Sequence, residues 1–289
     1  MSILVTGATG TIGSLITQGL ADAGAEVKAL VRQAGKRRFP AGVTEVVADL
    51  TEVASMRAAL SSVRTLFLIN AVTPDEVTQA LIALNLAREA GIERIVYLSV
   101  IHADKFTDVP HFTGKHTVER MIESHDMPAT ILRPAYFMQN DRMVQQTIEN
   151  YSVYPMPIGS AGVSMIDARD IADVAVAELL RRDRASSAQA RVTLELIGPQ
   201  PLTGASVAKI WSSALGREIL YGGDDLAAFE GQLTSYSPTW LAYDMRLMMA
   251  GIQAFGMQAA EGTVEHLQTL IGHPLRTYAD FVRESVAGV

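Results

Sequence analysis

The chain has 289 residues, 48 % of them hydrophobic, enough for one large or two small domains with a full apolar core. Its net charge of −7 argues against a nucleic-acid partner, and the lack of cysteine removes disulfides, thiolate catalysis and cysteine-held metals. No run of about eighteen apolar residues and no basic-then-apolar leader is present, so a cytoplasmic protein without a membrane partner is expected.

The apolar run Ile3-Leu4-Val5 leads directly into Thr6-Gly7-Ala8-Thr9-Gly10-Thr11-Ile12-Gly13. Strand, glycine-rich turn and helix start follow one another, with the helix expected over Leu15 to Ala23 and ended by Gly24. Glycines three residues apart allow a sharp turn, close approach of the backbone to a pyrophosphate and tight packing of helix on strand. The free N–H groups and dipole of the helix N-terminus then favour the phosphate charge. A tight turn without a ligand is the plainer alternative.

Glu26 to Val31 reads as a second strand ending in the basic cluster Arg32, Lys36, Arg37 and Arg38. In a dinucleotide fold this strand end faces the adenosine ribose, where an acid would bond the 2′-hydroxyl and an arginine would meet a 2′-phosphate. The cluster and the missing acid favour NADP(H) over NAD, with Arg32 and Lys36 as phosphate ligands; a solvated basic loop is the alternative. Val43 to Ala48 forms a third strand, and Asp49 after it is either an acceptor for the adenine amino group or a carboxylate capping the helix Glu52 to Leu60, with Thr51 as a candidate N-cap. A fourth strand over Thr65 to Ile69 ends in Asn70-Ala71, and Pro74 opens a helix to Ala90. The fifth strand, Arg94 to Val100, carries Ser99 near its end.

Thr113 to Ser124 reads as a helix and Ala129 to Leu132 as a sixth strand, followed by Arg133 to Asn140 at its carboxyl end, where ligands of such sheets bind. Tyr151 to Gly162, with its prolines and glycines, marks a crossover. Asp167 to Arg181 is helical and Arg191 to Ile197 is a strand. Beyond Gly198 to Leu202, helices are expected at Thr203 to Leu215, Tyr236 to Gln253, Thr263 to Ile271 and Tyr278 to Ser285. The alternation predicts an α/β chain: a doubly wound parallel-sheet NAD(P)-binding Rossmann fold with a smaller, mostly helical C-terminal substrate lobe. Its first domain covers 1–150, with 161–182 and 191–197 returning to it; 151–160 and 198–289 make the lobe.

These residues resemble the NmrA-like group of atypical short-chain dehydrogenases, which includes small NADPH-dependent quinone oxidoreductases. The resemblance runs through Leu4 to Gly10, Leu30-Val31-Arg32, Ala48-Asp49-Leu50, Tyr97-Leu98-Ser99, Lys115 with Glu119, Leu132-Arg133-Pro134 with Phe137-Met138 and Asn140, and Asp167 to Ala172. It implies that Gly7, Thr9, Gly10, Thr11, Ile12 and Gly13 hold the pyrophosphate and Arg32 the 2′-phosphate. It places Asp49 and Leu50 beside the adenine, and Asn70, Ala71, Ser99, Lys115, Pro134, Phe137 and Asn140 along the rest of the cofactor.

Short-chain dehydrogenases commonly place a tyrosine four residues before the lysine, because a phenol near a lysine cation has a lowered pKa and exchanges a proton with the substrate. Here that position is His111, so Lys115 keeps its ribose contact while the proton donor is either His111 or absent. A polar surface histidine at a helix start is the plainer reading. His102, His111 and His116 lack the cysteine or spaced carboxylate that would complete a metal site, so no metal is expected. On the substrate side the expected residues are His102, Tyr136, Tyr154, Trp240 and Tyr243, with a methionine-rich stretch at Met245, Met248, Met249 and Met257 suited to a flat apolar ligand; plain core or a homodimer surface is the alternative.

Hydride reduction of a ketone leaves an alkoxide that needs a proton donor, whereas reduction of a quinone leaves a weakly basic phenolate that water protonates. The missing tyrosine therefore fits an NADPH-dependent reductase acting on a quinone or related aromatic carbonyl compound, in the setting of aromatic natural-product tailoring among others. A non-catalytic NADP(H) sensor of NmrA type is the rival, and an isomerase holding its nicotinamide tightly is a third possibility weakened by the same substitution.

Overall fold

The computed structural model describes residues 2–288. β1 (Ser2–Val5) is buried along its whole length, as a strand covered on both faces must be, and leads through the glycine turn into α1 (Thr11–Asp22). Ile12, Ile16 and Leu20, one turn apart, form the buried stripe of α1. There follow β2 (Val27–Val31), β3 (Val43–Val47), α2 (Val53–Leu60), β4 (Val63–Leu68), α3 (Glu76–Glu89) and β5 (Ile95–Leu98). α4 (Pro110–Ser124), β6 (Ala129–Pro134), a 3₁₀ turn at Met138–Met143, α5 (Gln145–Tyr151), β7 (Val153–Tyr154), α6 (Ala168–Arg184) and β8 (Val192–Leu196) come next. The chain closes with α7 (Gly204–Leu215), β9 (Leu220–Tyr221), α8 (Leu226–Leu233), α9 (Thr239–Phe255), α10 (Thr263–Ile271) and α11 (Tyr278–Ala287).

Seven strands form one sheet in the order β3-β2-β1-β4-β5-β6-β8, and every pairing from β3 to β6 is parallel. The order turns back between β1 and β4, so the carboxyl ends of these two strands flank the switch point at which doubly wound sheets bind ligands. This is the α/β Rossmann architecture that the sequence predicts. Among the described residues no helix is long and apolar enough to cross a membrane.

Two compact units divide the chain, one of residues 2–100, 114–133 and 168–194, the other of 101–113, 134–167 and 195–288. Residues 101–113 and 134–150, expected in the dinucleotide domain, cluster with the second unit. The first unit's core is a continuous cluster that includes Leu4, Leu30, Leu66, Leu84, Ile95, Ile122 and Ile131, drawn from strands and the helices beside them. At one face of this unit α1 meets α6 closely: a Cβ added to Gly19 would stand 3.0 Å from a Val176 methyl.

Several boundaries differ from the sequence expectations. α1 begins at Thr11 rather than Leu15, and Glu52, not Thr51, is the N-cap of α2. α4 starts at Pro110, which puts His111 in its first turn instead of in a loop. The second unit holds elements that periodicity misses. α5 and α8 are short, and the two-residue strands β7 and β9 pair in parallel outside the main sheet. α8 has an apolar stripe at Leu226, Phe229 and Leu233, but it is only eight residues long and none of them is buried; Asp225 caps it by accepting from the Ala227 and Ala228 amides.

Candidate functional site

In the first unit the ends of β1 and β4 are tied by one side chain. The Thr6 hydroxyl donates to the Ile69 carbonyl at 2.9 Å and accepts from the Ile69 amide at 2.8 Å. Gly7 then takes φ +58°, and a Cβ there would also meet the Ile69 methyl at 2.7 Å, so only glycine satisfies both conditions. A Cβ at Gly13 would lie 2.2 Å from the Gly7 carbonyl oxygen, whereas one at Gly10 meets only that same oxygen, at 3.3 Å. Gly7 and Gly13 are thus required by the turn and by helix packing, and Gly10 keeps the space beside it clear. No side chain caps α1 and no acid stands in its first turn, which leaves its amides and positive dipole end for an anion.

Asn70, at the carboxyl end of β4, is buried, yet neither its amide oxygen nor its amide nitrogen has a hydrogen-bond partner. A buried amide left unsatisfied costs about 1–3 kcal/mol, and the switch point where Asn70 stands is where ligands of such sheets bind. The glycine cradle, the uncapped helix start and the orphaned amide together fit a dinucleotide.

The remaining cofactor candidates of this unit are variously engaged. Thr9, Thr11 and Ala71 are exposed, Leu50 half-buried and Ile12 buried beneath the loop. Arg32 and Lys36 are exposed. Arg37, which was not singled out from its cluster, donates to the Thr9 carbonyl at 2.5 Å and so lies against the glycine loop. Asp49 does not cap α2, whose N-cap is Glu52: it is exposed, and its carboxylate accepts from the Thr51 amide at 2.8 Å and the Thr51 hydroxyl at 2.6 Å, ahead of the helix. These bonds hold its pKa below the usual carboxylate value, with the charge of Arg32 adding to them.

Lys115, buried on α4, places its ammonium 3.4 Å from the buried Glu76 carboxylate at the start of α3. An ammonium has three N–H donors, so this pairing anchors Lys115 and leaves others for hydroxyls of a ribose. The Ser99 hydroxyl donates to Glu119 at 2.5 Å, and Glu119 is also gripped by Arg133 through Nε at 3.0 Å and Nη2 at 2.6 Å. Ser99 is therefore committed to a buried ion pair that fixes the end of β5.

The second unit holds the other candidates. His111 is buried; its Nδ1 lies 2.5 Å from Asp244 Oδ1, and its amide donates to Asp244 Oδ2 at 3.2 Å. Asp244, on α9, is 133 residues further along the chain and carries no signal in the sequence that connects it with His111. His102 is also buried, with a left-handed φ of +57°, and its ring is tilted against Phe106 at 5.8 Å between centroids.

A cavity of about 310 Å³ lies wholly within the second unit. Its walls come from Tyr136 and Asn140 after β6, Pro155 and Met156 after β7, and facing residues of α8 and α9. Five methionines line it, Met143, Met156, Met245, Met248 and Met249, and no Asp, Glu, Lys, Arg or His does so. Of the residues expected on the substrate side, Tyr136 lines this cavity, and so does the cofactor candidate Asn140. Trp240 and Tyr243 are exposed on α9 outside the lining, and His102 is not part of it. Tyr154 is fully buried, with its hydroxyl bonded to Asp141 at 3.0 Å. Pro134 is buried and Phe137 half-buried, its backbone paired with Ile166. The α8 residues Phe229, Gln232 and Leu233 were not anticipated, because the helix that carries them was not.

Comparison with known proteins matches residues 1–255 to the model of the NmrA-like family. The chain is 33 % identical over 290 residues to the NAD(P)H azoreductase of Xenophilus azovorans, covering 99 % of this chain and 98 % of that protein. It is 28 % identical to quinone oxidoreductase 2 of Escherichia coli, with 97 % of each covered. The crystal structure of a new type of NADPH-dependent quinone oxidoreductase from Escherichia coli superposes with a TM-score of 0.84 at 25 % identity, over 99 % of both chains. The chain, as its glycine turn and its Lys115 segment implied, belongs to the NmrA-like family.

Proposed function

We propose that this NAD(P)H-dependent oxidoreductase uses NADPH to reduce quinones and related flat aromatic carbonyl compounds, aromatic natural-product intermediates among them. The observation that carries the acceptor class is the second unit's cavity. Thioether and aromatic walls without a charged side chain suit an uncharged planar molecule, with Asn140, Gln232 and Ser237 supplying polar ends. The names of the relatives, an azoreductase and a quinone oxidoreductase, describe acceptors of the same aromatic kind.

The cofactor supplies a hydride when bound. Gly7, Gly10 and Gly13 with the first amides of α1 hold its pyrophosphate, Arg32 its 2′-phosphate, Lys115 its ribose and Asn70 its nicotinamide half. The lack of the usual tyrosine favours an acceptor whose reduced form is a stabilised phenolate over one that becomes an alkoxide.

The test follows NADPH oxidation by the purified protein against a panel of quinones and aromatic ketones, alongside a titration of NADPH against NADH. Turnover with quinones, faster than with ketones, is expected, with NADPH preferred. NADPH binding without turnover on any member of the panel would overturn the reductase and leave the sensor as the reading of the same cofactor site.

A further inference from the structure

The sequence leaves open whether any residue delivers a proton to the acceptor, and the second unit contains one buried histidine–carboxylate pair that bears on the question. His111 and Asp244 are both buried and joined by two hydrogen bonds, one to the imidazole Nδ1 and one to the His111 backbone amide. The amide bond matters because it fixes the carboxylate to the helix that carries the ring, so ring and carboxylate are held in one orientation. A carboxylate that accepts from Nδ1–H fixes the ring's orientation and turns Nε2 away from it. Nε2, the nitrogen on the far side of the ring, makes no hydrogen bond to any described residue, and it is not among the buried polar atoms without a partner. The arrangement is thus an oriented imidazole with its proton-donating nitrogen open.

Placement on α9 puts Asp244, although neither it nor His111 is in the lining, next to residues that are. Asp244 stands three residues after Leu241 and four before Met248, both of which line the cavity, as does its neighbour Met245. Residues three and four apart share a helix face, so Asp244 borders the face of α9 that forms the cavity wall. Phe112 packs edge-on against the His111 ring at 4.7 Å and Phe106 stacks on Phe112 at 5.3 Å, which further restrict the ring.

We propose that His111 is the general acid of this enzyme and that Asp244 is the residue that positions it, which rests on the reductase reading above. The acceptor's carbonyl carbon takes the hydride of the reduced dinucleotide, the C–O π pair moves to oxygen, and oxygen takes the Nε2 proton of the protonated His111. The imidazole, still bonded through Nδ1–H to Asp244, then recovers a proton from solvent. Such a pair extends the acceptor range beyond quinones to aromatic ketones, whose alkoxides require a proton.

The experiment compares the parent protein with His111→Gln, Asp244→Asn and Asp244→Glu on two acceptors, each followed by NADPH oxidation. One is an aromatic ketone, which takes a hydride and a proton; the other is a triarylmethyl cation, which takes a hydride alone. The ratio of kcat for the ketone to kcat for the cation is expected to fall about tenfold to a hundredfold in His111→Gln and Asp244→Asn, and to recover in part in Asp244→Glu. Nitrogen-15 spectra of the cofactor-free protein give a readout independent of turnover: Nδ1 of His111 carries the proton in the parent, and the tautomer shifts in Asp244→Asn. Melting curves of each variant identify a loss that comes from unfolding, and the conservative Asp244→Glu keeps the comparison available if Asp244→Asn is unstable. A parent that reduces both acceptors, with the ratio and the tautomer unmoved in the folded variants, overturns the proton-donor assignment alone. A folded parent that oxidises NADPH with neither of these acceptors nor with any quinone overturns the reductase reading, and the assignment with it; one that reduces the cation or a quinone but not the ketone overturns the assignment alone.

Discussion

The Tyr278 hydroxyl donates to the Asp141 carboxylate at 2.5 Å, joining two residues 137 positions apart in the chain. Asp141 is fully buried and accepts also from Tyr154 at 3.0 Å and from Tyr136 at 3.3 Å, while the Trp211 indole N–H donates to the Tyr278 oxygen at 3.1 Å. This carboxylate therefore ties β7, α7, α11 and the 3₁₀ turn together inside the second unit. Tyr136 both bonds Asp141 and lines the cavity, so the same network sets the cavity's wall.

Burial pushes Asp141 up from 3.8 to about 6, against the lowering effect of the three hydroxyls. An acid whose folded pKa is raised binds more protons when folded, so its contribution is present in full below 3.8 and is lost as pH rises through about 6. Replacing it by a neutral isostere removes that dependence. The stability of Asp141→Asn relative to the parent is expected to improve by about 2.4 kcal/mol between pH 4 and pH 7.5, as read from urea unfolding at a series of pH values. A parent-minus-variant difference that is flat across this range would show that the carboxylate titrates normally. Tyr278→Phe, which removes a donor to Asp141 and the acceptor for Trp211, is expected to cost about 1–3 kcal/mol.

The glycine turn separates folding from binding. A Cβ at Gly13 would enter the Gly7 carbonyl, so Gly13→Ala forces α1 away from the loop and is expected to destabilise the fold by about 1–3 kcal/mol. Gly10 has a negative φ and meets only one atom, at 3.3 Å, so Gly10→Ala is expected to keep the parent's melting temperature. It nevertheless places a methyl where the pyrophosphate must approach, and NADPH affinity, measured by fluorescence titration, is expected to fall more than about tenfold. Gly10→Ala binding NADPH as the parent does would show that the phosphates lie elsewhere.

The parts of this molecule that were legible in the sequence are those with local signals. β1, the glycine turn and α1 follow from residues within thirteen positions of one another, and the parallel sheet follows from alternating strand and helix patterns. Asp244 has no such signal: its meaning depends on a histidine 133 residues away, and nothing in the surrounding α9 stripe distinguishes it. Trp240 and Tyr243 were expected in the pocket because aromatic residues on a helix suggest one; they are exposed instead, Tyr243 beneath the Arg246 guanidinium at 4.8 Å. The cavity's α8 wall was missed because its apolar positions, Leu226, Phe229 and Leu233, span only eight residues, too short a stretch to stand out as a helix. Local chemistry thus carries the expectations for the cofactor half, while those for the acceptor half depend on long-range pairing.

Arg32 and Arg37 divide the basic cluster into two roles. Arg32 is exposed at the end of β2, with no bond to the glycine loop, and is the proposed group for a 2′-phosphate; Arg37 is bound to the Thr9 carbonyl. Arg32→Ala is expected to lower the NADPH-to-NADH ratio of kcat/KM about tenfold to a hundredfold, the worth of one charge-assisted bond, with the NADH value little changed. Arg37→Ala is expected to weaken both cofactors alike, because it loosens the loop and not the phosphate site. The reverse pattern, with Arg37→Ala erasing the preference, would assign the 2′-phosphate to Arg37.

The uncharged lining of the cavity predicts discrimination against anionic acceptors. A sulfonated naphthoquinone entering it would lose much of its hydration and meet no cation, so a neutral naphthoquinone is expected to have the higher kcat/KM. Met245 is half-buried on the cavity side of α9, where a longer cationic chain can lay its methylenes along the wall and keep its charge near water. Met245→Lys is therefore expected to raise the kcat/KM of the sulfonated acceptor relative to the neutral one by about tenfold, with high salt diminishing the gain. The dissociation constant of NADPH, titrated without acceptor, serves as the control, because Met245 lines the proposed acceptor cavity and not the glycine turn. A relative gain that salt reduces, with NADPH affinity preserved, places the acceptor in this cavity. If the ratio does not move in a folded Met245→Lys protein, the acceptor binds elsewhere, and the methionine-lined space is an internal void of the second unit.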